Sequence, residues 1–280
     1  MIEFGTIGSP FSHDLCSCTG NLPTNHRWSH NDPRPDVQVV MDYGVGLLLT
    51  QNPVSEKFFR SKKTFIWLGE SFGISQQMHE AIIKNADWFR GICRGIFTHN
   101  RDMIEQHPNL FSYVPCFANQ TWVRRVGIHK KTKLASIVNS GKAWLPGHHF
   151  RNETVAKIMQ QDPRVELFGK KLNPFDRKED VLIDYMFSYT IENSSYRTYI
   201  TEKLMDCFAT GAIPVYHGAP DVGDIFDMRG IIILDDHFDP LSLDKNLYRS
   251  MLPFAHENLN RMRKVPMADD VLHDEIMKRI

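Results

Sequence analysis

Short apolar runs alternate with amphipathic stretches along most of the chain. Val37–Met41, Thr64–Leu68 and Gly95–Thr98 are compact apolar runs with polar flanks, the pattern of buried strands. Between the second and third, Met78, Ile82, Ile83 and Ala86 recur on one face of a helix predicted over Ser75–Phe89. A short helix is expected at Arg101–His107, ended by Pro108. The pattern restarts near Lys133. Strands are predicted at Leu134–Asn139, Val165–Phe168, Met186–Ile191, Ala212–Tyr216 and Ile231–Leu234, with helices at Arg151–Gln160 and Tyr199–Thr210. From Leu241 the chain is mainly helical, and Leu272, Ile276 and Ile280 form one stripe at a spacing suited to docking on the protein's own core. Residues 1–36, rich in Pro, Gly, Ser, Asn and His, show no sustained period and read as a loop-rich lead-in.

Strands separated by helices imply βαβ units and parallel sheets. The two successive series meet around Trp122–Thr132, so the expected architecture is α/β, with two Rossmann-like domains facing a cleft. The boundary is placed at 128/129, which gives domains 1–128 and 129–280, the second carrying the C-terminal helices. Neither GxGxxG nor GxxxxGK[ST] occurs, so a dinucleotide or P-loop fingerprint is absent.

Composition narrows the function classes. The 280 residues are 42% hydrophobic and 24% charged, which is globular rather than disordered. Charge balances at +0, from 33 basic and 33 acidic residues, so general nucleic-acid binding is not expected. A local basic pocket for one diphosphate remains allowed. No signal-peptide core lies in Met1–Asp14, and the most apolar stretches, Gly46–Leu49 and Gly230–Leu234, are too short to span a bilayer. Five scattered cysteines (Cys16, Cys18, Cys93, Cys116, Cys207) show no disulfide framework, and a reducing, cytoplasmic compartment is expected. His13, Cys16, Cys18, His26 and His30 lack the paired CxxC spacing of a zinc site. Sequons stand at Asn119, Asn152 and Asn193, and carry weight only in a secreted chain.

The densest chemistry lies in Met186–Gly218: a strand, a polar loop, a helix stopped by Gly211, then a strand containing Pro214. At about 100° per residue, Ile200, Leu204, Cys207 and Phe208 make an apolar stripe, with Tyr199, Glu202, Lys203 and Asp206 on the adjoining face. Tyr199, Glu202 and Lys203 are expected in the first helical turn, where unbonded N–H groups and the helix dipole favour an anion. A carboxylate such as Glu202 accepts from ribose hydroxyls, and an ammonium such as Lys203 neutralises a phosphate oxygen. On pattern alone these charges equally describe a solvated helix face.

Phe187–Gly218 resembles the donor-binding core of the family-10 α1,3-fucosyltransferases. The matching elements are Glu192-Asn193-Ser194, Tyr199-Ile200-Thr201-Glu202-Lys203, and Ile213-Pro214-Val215 followed by Gly218. Lys133–Ser140 is similar to the family's strand ending in a Ser-Asn-type turn, and Arg151 stands where the family has an arginine on the donor diphosphate. Weaker likeness covers Trp67–Ser71 and Ile96–Asn100, so the resemblance spans roughly residues 64–240.

The resemblance implies a GT-B fold, a nucleotide-sugar donor (GDP-fucose), a glycan acceptor and inversion at the anomeric carbon. It assigns Arg151, Asn193, Tyr199, Glu202 and Lys203 to the donor and Glu70 to the general base. It also makes 1–128 the acceptor-side domain and 129–280 the donor-binding domain. No cofactor is implied, and a divalent metal is not expected to be essential, because Arg151, Lys203 and a helix N-terminus offer positive potential to the leaving diphosphate. Asp235, Asp236 and Asp239 bring to mind a metal-binding Asp-x-Asp, but they fall in an expected polar loop after a late strand. Ile191 departs from the family's usual Phe, and the family's membrane anchor is missing, which points to a bacterial or viral cytoplasmic form or a shortened chain. Two alternatives stay open: a GT-B enzyme using another nucleotide-sugar, and an inactive carbohydrate-binding protein.

Overall fold

The computed structural model describes residues 2–8, 22–50, 53–116, 121–169 and 172–280. The chain forms two compact α/β units: unit 1 is Met1–Ala118 with Pro266–Ile280, and unit 2 is Asn119–Val265. The division thus falls ten residues before the expected 128/129, and the last helix belongs with unit 1 rather than with unit 2.

Unit 1 contains β1 (Ile2–Ile7), β2 (His26–His30), β3 (Val37–Met41), α1 (Val45–Leu49), α2 (Pro53–Arg60), β4 (Lys63–Leu68), α3 (Phe72–Lys84), α4 (Ala86–Ile92), β5 (Cys93–Thr98), α5 (Arg101–Gln106) and β6 (Ser112–Tyr113). The sheet order is β2-β1-β3-β4-β5-β6, parallel throughout. The central strands β3 and β4 are buried on both faces, which is why they read as continuous apolar runs. Phe4, Val39, Phe65, Trp67 and Phe97 point one way; Val40, Ile66, Leu68 and Ile96 point the other, onto Ile82 of α3 and Phe89 of α4.

Unit 2 contains β7 (Lys133–Val138), α6 (Pro146–Gln161), β8 (Val165–Phe168), β9 (Tyr185–Ile191), α7 (Glu202–Thr210), β10 (Ile213–His217), β11 (Ile232–Ile233) and α8 (Lys245–Lys264). Its sheet order is β11-β10-β9-β7-β8, again parallel. One face packs on Val155 and Ile158 of α6 and on Tyr248, Met251 and Ala255 of α8; Leu204 and Phe208 of α7 belong to a second core with Tyr216, Phe226 and Met262. The remaining helix, α9 (Ala268–Met277), lays Ala268, Leu272 and Ile276, all fully buried, on the Phe4–Trp67 face of unit 1. Ile280, the expected third member of that stripe, is instead 40% exposed.

Four expectations are corrected. The lead-in contains two strands, and β1 is interior to the sheet. Gly5 and the Pro- and His-rich flanks break its apolar pattern, yet Gly5 is required because a Cβ there would run into Gln38 and the Asp32 carbonyl. The helix expected over Ser75–Phe89 is two helices, separated at Asn85 (φ −114°, ψ 31°). Helices α1 and α2, not anticipated, link β3 to β4. Finally, α7 begins at Glu202, so Tyr199 precedes the helix instead of lying in its first turn. Among the described residues no helix is long and apolar enough to cross a membrane. Cys93 and Cys207 are free and buried, and Cys116 is buried. Of the zinc candidates, His13, Cys16 and Cys18 lie outside the described residues, as does the sequon asparagine Asn119.

Candidate functional site

In unit 2 the first strand, β7, lies between β8 and β9, so the chain reverses its direction of travel across the sheet at β7/β9. Such a switch point leaves a crevice at the carboxyl ends of the two strands, the usual ligand position in an open parallel sheet. The sequence-expected donor residues collect there. Asn139 and Ser140 follow β7, Arg151 sits on α6 directly after it, and Glu192 and Asn193 follow β9.

Glu192 anchors the arrangement. Its backbone N–H extends the ladder by donating to His217 O (2.8 Å), and its side chain is buried. Its carboxylate accepts from Thr201 N–H (3.1 Å), from the Thr201 hydroxyl (2.7 Å) and from Lys203 Nζ (2.9 Å). Thr201 is the N-cap of α7, accepting from Lys203 N–H at 3.4 Å. One buried carboxylate therefore fixes both the start of α7 and its first cation. Gly218 makes room for it, since a Cβ there would sit 2.8 Å from Glu192 Cγ.

Between Glu192 and α7 the loop is held by its own contacts. Tyr199 donates to Asn193 Oδ1 (2.7 Å) and stacks on Tyr196 with ring centroids 5.0 Å apart. Thr198 takes a left-handed conformation (φ 67°), and its N–H donates to the Asp221 carboxylate at 2.8 Å. That turn explains why the helix cannot start at Tyr199.

Arg151 is 7% exposed and, among the described residues, makes one hydrogen bond, Nη2 to Ser140 Oγ at 3.3 Å. Its Nε has no partner among the described residues, and no carboxylate there forms an ion pair with it. Burial draws the guanidinium below the ordinary arginine value, partly offset by Glu192, Tyr199 and Glu202. A buried cation without a contacting counter-ion is costly, and an incoming anion would remove the cost. His148, on the same helix, is buried; desolvation, then Arg151 and Lys142, lower its pKa, so it stays neutral beside the cations.

Lys203 is less available to a phosphate than expected. Its Nζ lies 2.9 Å from Glu192, 3.0 Å from the Thr201 hydroxyl and 3.5 Å from Glu202. Burial opposes its charge, but Glu192 and then Glu202 outweigh burial and hold the ammonium above the usual lysine range. For Glu202, burial pushes the carboxyl up, but Lys203 and then Lys178 reverse that and keep it ionised. Further along α7, Asp206 is pushed up to about 6, chiefly by burial against the opposing pull of Lys178. Its Oδ1 accepts from the Thr121 hydroxyl (2.8 Å) and from Trp122 N–H (2.7 Å), so it ties down the start of unit 2.

Glu70, the remaining candidate, lies in unit 1 just after β4 and is half-buried. The backbone around it is held from several elements. Cys116 Sγ donates to Gly69 O (3.1 Å), Ser75 Oγ reaches Glu70 O (3.5 Å), and the Asp42 carboxylate accepts from Gly69 and Glu70 N–H. His99, buried and lowered by desolvation to about 3, bonds the Leu68 backbone. A surface carboxylate would not need this scaffolding.

Sequence reasoning missed Ser140, Thr201, Asp42 and the counter-ion role of Glu192. Capping preference flags Thr201; nothing local flags the others. Asp235 and Asp239 accept from His237 N–H and Leu241 N–H at 2.9 Å, acting as turn and 3₁₀-helix caps.

Two α/β units, each built on a parallel sheet, are the architecture of the GT-B fold. Comparison with known proteins agrees. Residues 128–251 match the model of glycosyltransferase family 10 (fucosyltransferase), C-terminal part. The chain is 28% identical over 129 residues to alpha-(1,3)-fucosyltransferase B of Drosophila melanogaster, covering 42% of this chain and 27% of that protein. It is 32% identical over 84 residues to alpha-(1,3)-fucosyltransferase FucT of Helicobacter pylori, covering 27% and 18%. It is 35% identical over 96 residues to GDP-fucose protein O-fucosyltransferase 3 of Xenopus laevis, covering 30% and 20%. Each match thus spans no more than 27% of the relative's length. A crystal structure of an α1,3-fucosyltransferase with GDP superposes with a TM-score of 0.53 at 16% identity, over 90% of this chain and 82% of that one, which establishes the shared fold. Residues 128–251 are thus similar to the C-terminal part of the family-10 fucosyltransferases.

Proposed function

We propose that the protein transfers fucose from GDP-fucose to a hydroxyl of a glycan acceptor, with inversion. The observation that carries this is the buried Arg151, with its Nε unpartnered among the described residues, at the β7/β9 switch point beside the Glu192–Lys203 pair. Arg151 and the N-terminus of α7 receive the diphosphate, Glu202 accepts from ribose hydroxyls, and the Tyr199–Asn193 hydrogen bond orders the loop against the sugar nucleotide. Lys203 acts from behind, holding Glu192 and the first turn of α7 in place. Glu70 takes the proton of the acceptor hydroxyl as its oxygen bonds the anomeric carbon. The bond from that carbon to the diphosphate oxygen breaks on the opposite face, its electron pair leaving with GDP. Negative charge then grows where Arg151 stands, and fixed positive groups there lower the barrier.

The test is a panel of GDP-, UDP- and CMP-sugars in a thermal-shift assay, followed by GDP release with glycan and protein acceptors. Stabilisation by GDP-fucose and GDP, with turnover on a glycan, is the expected result. Stabilisation by UDP-sugars alone would move the chain to another donor. Binding without turnover on any acceptor would make it a binding protein, and turnover on protein alone would change the acceptor class. Because protein groups supply the positive potential, excess EDTA is expected to leave the transfer rate within about two-fold. A loss beyond about ten-fold, restored by Mn²⁺ or Mg²⁺, would place a metal on the diphosphate instead.

A further inference from the structure

We propose that Asp42, at the end of β3, is the positioning residue that sets the backbone carrying Glu70; this rests on the reading of Glu70 as the base. Met41 and Trp67 pair in register, so β3 and β4 release their chains at the same level of the sheet. Asp42 is fully buried and reaches across to the neighbouring exit: Oδ1 accepts from Glu70 N–H at 3.1 Å and Oδ2 from Gly69 N–H at 3.3 Å. A carboxyl spanning two successive backbone N–H groups fixes both peptide planes, and with them the direction in which the Glu70 side chain leaves the strand. Asp42 also sits at φ 26°, a left-handed conformation that is costly for a residue other than glycine. Burying a carboxyl on a strained backbone is a poor choice for stability alone, and a glycine would relieve the strain. The return is a fixed Glu70 loop.

Electrostatics add a second consequence. The groups facing Asp42 are Glu70, across the sheet, and the neighbouring Tyr43 phenol, itself raised by burial and by both carboxylates. Burial first, and then the Glu70 charge, push Asp42 up to about 8, against the lowering effect of the two N–H bonds. Near neutrality Asp42 is therefore held largely protonated and adds no full charge beside Glu70. When Asp42 ionises, a second negative charge enters beside Glu70 and alters the field around the proposed base.

The experiment uses the full chain with GDP-fucose and its accepted glycan. Asp42→Asn keeps the size but offers an amide N–H to one of the two backbone N–H donors. Its kcat is expected to fall about 10- to 100-fold, the order that a displaced catalytic group costs, with the Kd for GDP unchanged. Wild-type kcat is expected to fall above about pH 8, and that fall should be absent from the variant. Adding Asp42→Asn to Glu70→Gln should cost little beyond Glu70→Gln alone, because the two act as one unit. Asp42→Gly relieves the left-handed strain, guards against a folding failure, and should lose a similar factor. Wild-type kcat with an unchanged pH profile in both Asp42 variants would overturn the proposal, as would effects that multiply with Glu70→Gln. Full activity of Glu70→Gln on its own would instead remove the reading of Glu70 as the base, and the positioning role with it.

Discussion

Replacing Lys203 with methionine should destabilise unit 2 by about 3–5 kcal/mol, the cost of removing one partner from a buried ion pair. Glu192 has no exposed face on which to recover solvation, and its remaining partners are Thr201 N–H and hydroxyl. The methionine stem replaces much of the apolar volume, so the loss reports charge rather than a cavity. Transfer should fall with stability, because the first turn of α7 is set by the same carboxylate. A second substitution separates the two effects. Lys203→Met with Glu192→Gln removes both charges and should recover a good part of the stability, while GDP affinity and turnover stay low. Urea denaturation and GDP titration of the single and double variants check this; a single variant as stable as wild type would mean that the pair is dispensable. The sign with pH is also defined. A lysine held above its usual range contributes stability that is fully present below the ordinary lysine pKa and is lost as pH rises through the folded value. The Lys203 contribution is therefore constant through neutrality and fades only in strongly alkaline solution.

The second large effect is expected from one methyl group. Gly147 lies in the first turn of α6, where alanine ordinarily favours a helix by about 1 kcal/mol over glycine. Here a Cβ would overlap the Asn193 carbonyl oxygen and stand 2.6 Å from the carbonyl carbon. Both obstacles are backbone, so no rotamer change relieves the clash; either the helix start or the loop after β9 must move. Gly147→Ala should therefore destabilise by about 2 kcal/mol or more and weaken GDP binding about ten-fold or more, since Asn193 and Arg151 would lose their relative placement. Gly46, within α1, is the control, because nothing lies within 4 Å of its added Cβ. Gly46→Ala should stabilise by about 0.5–1 kcal/mol. Opposite signs at two helical glycines would show that backbone approach, and not helix propensity, decides the outcome.

The sheets were legible because central strands such as Val37–Met41 and Met186–Ile191 are buried on both faces and needed no partner to be recognised. The alternation of strands and helices then implied parallel order. Strand β1 was hidden because the residue that lets it pack, Gly5, is the one that breaks its pattern. The start of α7 was misread because the apolar stripe continues back to Ile200, whereas the left-handed turn at Thr198 and the cap at Thr201 are decided by Asp221 and Glu192. In the site, the first-turn charges could be found from helix geometry. The pairing of Glu192 with Lys203 spans a loop and depends on the strand and helix meeting, so no periodicity contains it. Asp42 is harder still. In sequence it is an acidic residue after a strand, and only the neighbouring strand's exit shows what it holds.

The helix at Ala268–Met277 closes the apolar face formed by Phe4, Val39, Phe65, Trp67 and Phe97, and Asp269 accepts from Trp28 Nε1 at 2.7 Å. During synthesis this makes the first unit to emerge the second to finish. Asn119–Val265 is one uninterrupted stretch and has all its parts before Pro266 leaves the ribosome. The earlier-made sheet must wait with its aromatic face uncovered while the later one assembles, the reverse of the usual N-terminal-first order. The interval is when the nascent chain is most exposed to aggregation. The site that waits with it is the one bearing Glu70, so the proposed donor half can be in place before the proposed base is.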